Sequence, residues 1–353
     1  MGFKDTIAIS QQADHSTIAD DQSISGQTAP HRQTPRALSL LRYPSLALIH
    51  GLIRPALRLA EGAGYMPSLL ESLGKKMNID HMNAHKFEDY IPTETDLIIG
   101  TYPKSGTNWM LQIAYQITQR GYGDFAHIHD VVAWPDQFIE GYAVDLHDNM
   151  LAQTSPTGQR VIKTHLGWHN IPFSPDAKYI LIVRDPKDIF VSSYFFSKSL
   201  VFGPLMPSVE SWLDFFLSDH FMMGSWAANL SSYWQARHHK NVLFLTYESM
   251  VANLPKSIQK VTDFADVNLS QAELNLVHQK SAFLHMKRNN HKFYPGLIVP
   301  WANPHGEMVR KGQSGTSSEI LSVQQQQRID RHCKEALESL NCDFPYDDEF
   351  ELA

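Results

Sequence analysis

Leu97-Ile98-Ile99-Gly100-Thr101-Tyr102-Pro103-Lys104-Ser105-Gly106-Thr107-Asn108-Trp109 is a short apolar run that breaks into a loop of glycine, hydroxyls and one lysine. Apolar residues at helical spacing follow, from Trp109 through Ile117. The run reads as a buried strand, and the loop leads from it into a helix. A loop in that place aims backbone N–H groups and the positive end of a helix dipole at an anion. Gly106 lets the chain pass close to a phosphate, and Lys104 adds a mobile point charge. The Walker pattern needs Gly-Lys-Ser/Thr, but here Lys104 precedes Gly106 and Gly-Thr-Asn follows, so a magnesium-binding ATPase loop is disfavoured. Taken alone, an ordinary glycine-containing turn is the competing reading.

Further along, Val161-Ile162-Lys163-Thr164, Tyr179-Ile180-Leu181-Ile182-Val183 and Val242-Leu243-Phe244-Leu245-Thr246 are strand candidates, the last followed by a helix around Ser257 to Phe264. A continuous apolar run such as 179–183 is expected where both faces of a strand are covered. The alternation predicts an α/β fold: one domain with a central, mostly parallel sheet flanked by helices. We expect the boundaries at a polar tail (1–36), a helical N-terminal extension (37–87) and the main domain (88–353).

Composition narrows the function. The 353 residues are 43% hydrophobic and 19% charged, enough for one large core or two small ones. The net charge of -7 gives no hint of a basic surface, so nucleic acid is not expected as a partner. Cys333 and Cys342 make neither a disulfide framework nor a zinc site, and they fit a reducing, cytoplasmic setting. The tail is too polar to order itself, and its start, Met1-Gly2-Phe3-Lys4-Asp5-Thr6, matches a loose myristoylation pattern best read as chance. Residues 38–60 are greasy but interrupted by Arg42, Pro44, Arg54, Pro55 and Arg58. They are too short to span a membrane, and docking on the body of the protein is favoured over peripheral membrane contact.

Two more segments carry cations. Arg184 ends the strongest strand in Val183-Arg184-Asp185-Pro186-Lys187-Asp188, with Ser192 eight residues later, and Val309-Arg310-Lys311-Gly312 sets two cations beside a glycine. An arginine there can grip a phosphate bidentately or simply pair with Asp185 or Asp188. With the loop at 102–109, these segments resemble the cytosolic-type sulfotransferase family over roughly residues 88 to 331. The resemblance implies a P-loop-kinase-like fold and 3′-phosphoadenosine-5′-phosphosulfate (PAPS) as co-substrate, with no metal. It also implies that Lys104, Ser105, Gly106, Thr107 and Asn108 hold the 5′-phosphate and that Trp109 stacks on adenine. Arg184, Ser192, Arg310, Lys311 and Gly312 then hold the 3′-phosphate, with Tyr247, Ser281 and Phe283 around the adenine.

Lys163-Thr164-His165 stands at the end of the second strand, where functional residues collect in open parallel sheets. By the same resemblance His165 is the general base, Lys163 stabilises charge on the transferred group and Lys104 serves the leaving oxygen. A histidine suits the role because its ordinary pKa lies near neutrality. His169 is the competing base. Trp134, Tyr194 and Phe196 are candidates for the pocket of a small, apolar acceptor, and residues 285–308 for a mobile lid. Where the family continues Gly-Asp-Trp, this chain has Gly315-Thr316-Ser317. The family's dimer motif would fall on Ser318, Ser322, Val323 and Gln327, without its charged ends, which leaves the oligomeric state open. Two other classes fit the sequence less well. A nucleoside or small-molecule kinase needs a Gly-Lys-Ser/Thr loop and a magnesium carboxylate, neither of which is visible in this sequence, and a non-catalytic nucleotide-binding protein would not need the intact lysines and His165.

Overall fold

A computed structural model of the chain describes residues 36–77, 86–87, 89–137, 141–295, 299–303 and 306–350. The polar tail before Arg36 and the Met1–Thr6 pattern lie outside the described residues, as do positions 296–298 and 304–305 of the expected lid. Five strands form one sheet: β1 (Asp96–Thr101), β2 (Val132–Ala133), β3 (Arg160–Thr164), β4 (Lys178–Val183) and β5 (Val242–Thr246). Their order is β2-β3-β1-β4-β5, and every pairing is parallel. Four of the strands were expected from their apolar runs. The fifth, β2, is two residues long and has no pattern to read.

Alternate residues of the strands feed two cores, as the pleat requires. Ile98, Ile162, Tyr179, Leu181 and Val183 pack on one side with Phe190, Trp212, Leu230 and Ile329. Leu97, Ile99, Val161, Ile180 and Ile182 pack on the other with Met110, Ile113, Ile258 and Val277. The first four strand-covering helices are α1 (Thr107–Thr118), α2 (Pro186–Ser197), α3 (Val209–Phe216) and α4 (Trp226–Ala236). The others are α5 (Leu254–Phe264), α6 (Gln271–Ser281) and α7 (Val323–Ser339). α1 begins two residues before the expected Trp109, directly after Gly106, whose φ of 91° turns the loop into the helix. Ser322, at the site of the expected dimer motif, caps α7 reciprocally with Gln325.

At the N-terminal edge of the sheet, Asp96 and Arg160 are register partners on β1 and β3. The Arg160 Nε lies 2.8 Å from the Asp96 carboxylate, with both side chains almost fully buried. The Tyr90 hydroxyl joins the pair, donating to Asp96 and accepting from the Arg160 guanidinium. A buried pair of this kind locks the register of the two strands whose opposite ends carry the site.

Before the sheet, helical segments Arg36–Leu48, Arg54–Gly62 and Met66–Met77 run over the body. Arg42 donates to the Ala302 carbonyl, Glu61 accepts from Ser208 and Ser211, and Ile49 is buried. Leu40, Leu41, Tyr43, Leu48, Leu52 and Leu59 face outward. No helix among the described residues is long and apolar enough to cross a membrane.

Candidate active site

The C-terminal ends of β1, β3 and β4 deliver Thr101, His165 and Arg184 to one edge of the sheet, where open parallel sheets bind their ligands. The loop after β1 is held under strain. Lys104 takes φ 74°, a left-handed conformation that costs a side-chain-bearing residue about 1–2 kcal/mol. The Arg184 guanidinium accounts for part of that hold, because it donates to the Lys104 carbonyl at 3.1 Å. The Lys104 ammonium then rests over the Phe196 ring at 3.8 Å. Its burial, with Arg184 nearby, pushes it down to about 7.

β2 matters for what it carries. Val132 pairs with Val161 and Ala133 with Ile162, and the turn that follows brings Trp134 to Lys163 and Asp136 to His165. The Lys163 ammonium lies 3.3 Å from the centre of the Trp134 ring. The Asp136 carboxylate accepts the His165 backbone N–H at 2.8 Å. Burial lowers Lys163 to about 7; Asp136 opposes that fall and Lys104 adds to it.

The His165 Nδ1 lies 2.8 Å from the Thr101 carbonyl oxygen and 3.3 Å from its hydroxyl. A carbonyl can only accept, so Nδ1 carries the proton and Nε2 presents a lone pair. Burial and Lys163 push the imidazole down to about 3, which keeps it neutral. His169, the competing base, is exposed on the turn Trp168–Asn170.

The phosphate motifs converge as well. Besides Lys104, Arg184 donates to Asp188 and to the Gln313 carbonyl, and it stacks 4.1 Å over the Tyr247 ring. Asp188 in turn accepts from the backbone N–H groups of Gly315 and Thr316 and from the Thr316 hydroxyl. The chain therefore docks its Gly315-Thr316 segment on α2 without the family's aspartate. Trp109 donates from its indole to the Ser281 carbonyl and meets Tyr247 edge-on. A Cβ on Gly106 would strike the Tyr247 ring at 2.6 Å, and one on Gly312 would strike Phe283 at 2.3 Å. Ser192 lies half-buried on α2, and Asn108 half-buried in the first turn of α1. Arg310 and Lys311 both pair with Glu319.

A doubly phosphorylated nucleotide fits the chemistry of this surface. Buried polar atoms without partners among the described residues include the hydroxyls of Ser105 and Ser281 and the Arg184 Nε. Buried donors of that kind are ordinarily satisfied. The acceptor candidates divide. Trp134 lies edge-on to His165, and Phe196 lies under Lys104. The Tyr194 hydroxyl is engaged by the Pro207 carbonyl. In the expected lid, Asn290 accepts from the N–H groups of Met308 and Val309, and Lys287 donates to the Arg310 carbonyl.

Sequence reasoning missed Thr101, Asp136, Asp188 as a loop anchor, and Glu319. Asp188 was legible only as the i+4 neighbour of Arg184; Thr101 and Asp136 gave no signal because their partner His165 is distant in the chain, and Glu319, nine residues from Arg310, sits in no readable pattern.

Comparison with known proteins agrees with the geometry. The family described as a sulfotransferase domain matches residues 94–341. Over 257 residues the chain is 31% identical to sulfotransferase 2A1 of Macaca fascicularis, covering 72% of this chain and 88% of that protein; the figures for the Homo sapiens protein are the same. Sulfotransferase 2A2 of Mus musculus is 33% identical, with 70% and 86% covered. Among solved structures, retinol dehydratase in complex with androsterone and the inactive cofactor PAP is similar in fold, with a TM-score of 0.58, 19% identity, and 74% and 86% of the two chains covered. Mouse sulfotransferase SULT7A1 complexed with PAP has a TM-score of 0.57 at 24% identity, covering 73% and 90%.

Proposed function

Because the chain belongs to the sulfotransferase family, we propose that it transfers the sulfuryl group of PAPS to a hydroxyl or amine of a small, apolar acceptor, with His165 as general base. The observation that carries the mechanism is the hydrogen bond from His165 Nδ1 to the Thr101 carbonyl, which leaves the lone pair on Nε2 in a ring flanked by the charges of Lys163 and Lys104. In the transfer, the acceptor oxygen or nitrogen bonds to sulfur, the sulfur–oxygen bond to the phosphate breaks, and the acceptor proton passes to Nε2. Lys163 balances charge on the sulfuryl oxygens and Lys104 on the departing phosphate oxygen. Both lysines depress His165, so the arrival of negative charge beside them restores its basicity.

The nucleotide is held on this reading by the loop 104–108 at its 5′-phosphate, by Arg184, Ser192, Arg310, Lys311 and Gly312 at its 3′-phosphate, and by Trp109, Tyr247, Ser281 and Phe283 around the base. Trp134 and Phe196 bound the acceptor, and Tyr194 lies on the same helix as Phe196. The neighbouring structures bind androsterone and retinol, which makes an alcohol on a large apolar frame the first acceptor class to try. The catalytic unit spans residues 88–353, and the protein is cytoplasmic. The outward leucines of residues 38–60 are the surface for any peripheral contact with a membrane.

The test is thermal stabilisation of the purified protein by adenosine 3′,5′-bisphosphate, with ADP and magnesium-ATP as controls, followed by an acceptor screen with PAPS. A ligand that binds only the native state must raise its stability. Selective stabilisation by the bisphosphate supports the reading, whereas a shift with magnesium-ATP alone overturns it.

A further inference from the structure

We propose that Asp136 is a positioning residue of the transfer centre, which pins the His165 backbone and supplies the counter-charge that keeps Lys163 an ammonium. The inference rests on the transfer reading above for its catalytic consequence, while the burial of Asp136 and Lys163 and the hydrogen bond that Asp136 accepts from His165 are independent of that reading. Asp136 is 1% exposed and Lys163 is 5% exposed. One carboxylate oxygen takes the His165 N–H at 2.8 Å, the Thr164 hydroxyl and the Asp136 N–H also favour the ionised carboxyl, and Oδ1 is buried without a hydrogen bond of ordinary geometry. An incompletely partnered buried carboxylate is costly. Its retention makes sense where its charge is used.

Lys163 is the group that uses it. Its ammonium faces the Trp134 ring, which attracts a cation only modestly. Around it stand Lys104, a like charge, and His165, held neutral. Asp136 is the group that favours its protonation. Burial raises the Asp136 carboxyl above the usual carboxylate range, opposed by the His165 N–H and by Lys163, so each member of the pair sustains the other's ionisation. The device begins at the β2–β3 pairing: just beyond it, the chain brings Trp134 against Lys163 and, from the turn that follows, Asp136 against the His165 N–H.

The decisive variant is Asp136→Asn, which keeps a carbonyl oxygen for the His165 N–H but removes the charge. Adenosine 3′,5′-bisphosphate should bind it within about twofold of the parent, while the alkaline limb of its turnover profile moves to lower pH. A displacement of one pH unit lowers turnover about tenfold on that side. Asp136→Ala should show the same displacement with a further loss of kcat from the released His165 backbone. An unshifted Asp136→Asn profile overturns the proposal. A second measurement needs no activity. Lys163→Met alone and Asp136→Asn alone each strand one buried charge, so the double variant should melt above at least one of the singles; strictly additive losses of Tm overturn the pairing. If the parent shows no PAPS-dependent transfer, the functional reading fails and the melting comparison still judges the pair.

Discussion

His165 Nδ1 and the Thr101 carbonyl oxygen are 2.8 Å apart, so the last residue of β1 sets the tautomer of the first residue beyond β3. The lone pair on Nε2 follows from that contact. His165→Ala should lower kcat by about 10²- to 10⁴-fold, the usual worth of general-base catalysis, with bisphosphate affinity near that of the parent. Single-turnover kinetics with calorimetry of bisphosphate binding checks it; an equal loss in both would make His165 structural.

The pH dependence follows from the two lysines. Each is held to about 7 in the free protein, so each is charged below that and loses its proton above it. Since both act as cations, kcat/KM for PAPS should fall as pH rises past about 7. His165, held to about 3, stays neutral through this window and adds no acid limb above pH 5. Initial rates from pH 5 to 9 test the sign, and a rate that climbs steadily to pH 9 would contradict it.

Glu319 pairs with both Arg310 and Lys311, the cations assigned to the 3′-phosphate. A phosphate bound there must displace or share them. Glu319→Gln should tighten bisphosphate binding by a modest factor, up to about fivefold, because partly exposed ion pairs are worth about 0–1 kcal/mol. Titration calorimetry at low and moderate salt measures it, and weaker binding by the variant would show that Glu319 instead orders the clamp.

Asp96→Ala leaves the Arg160 guanidinium buried without its carboxylate and the Tyr90 hydroxyl without its acceptor. Breaking a buried pair from one side costs about 3–5 kcal/mol. The variant should melt well below the parent, and chemical denaturation gives the difference directly. A change under about 1 kcal/mol would mean that the pair does not lock β1 to β3.

Much of the fold was legible because its signals are local. The runs 97–101, 161–164, 179–183 and 242–246 are apolar on both faces, which marks buried parallel strands, and the loop at 102–109 announces an anion site through its glycine, lysine and position before a helix. Arg184, Arg310, Lys311 and the Lys163–His165 pair stood out as cations and a histidine at strand ends or beside a glycine, and their assignment came from the family resemblance. The sequence by itself therefore determined four of the five strands and the residue types that stand at their ends. Only the tertiary structure decided their partners. Val132-Ala133 is too short to show a period, yet its pairing with β3 and the turn that follows bring Asp136 to His165 and Trp134 to Lys163. Thr101 and His165 lie 64 positions apart, and Arg184 and Gln313 lie 129 apart. Such contacts arise from sheet order and register, which depend on how whole elements pack, and local spacing carries no record of them.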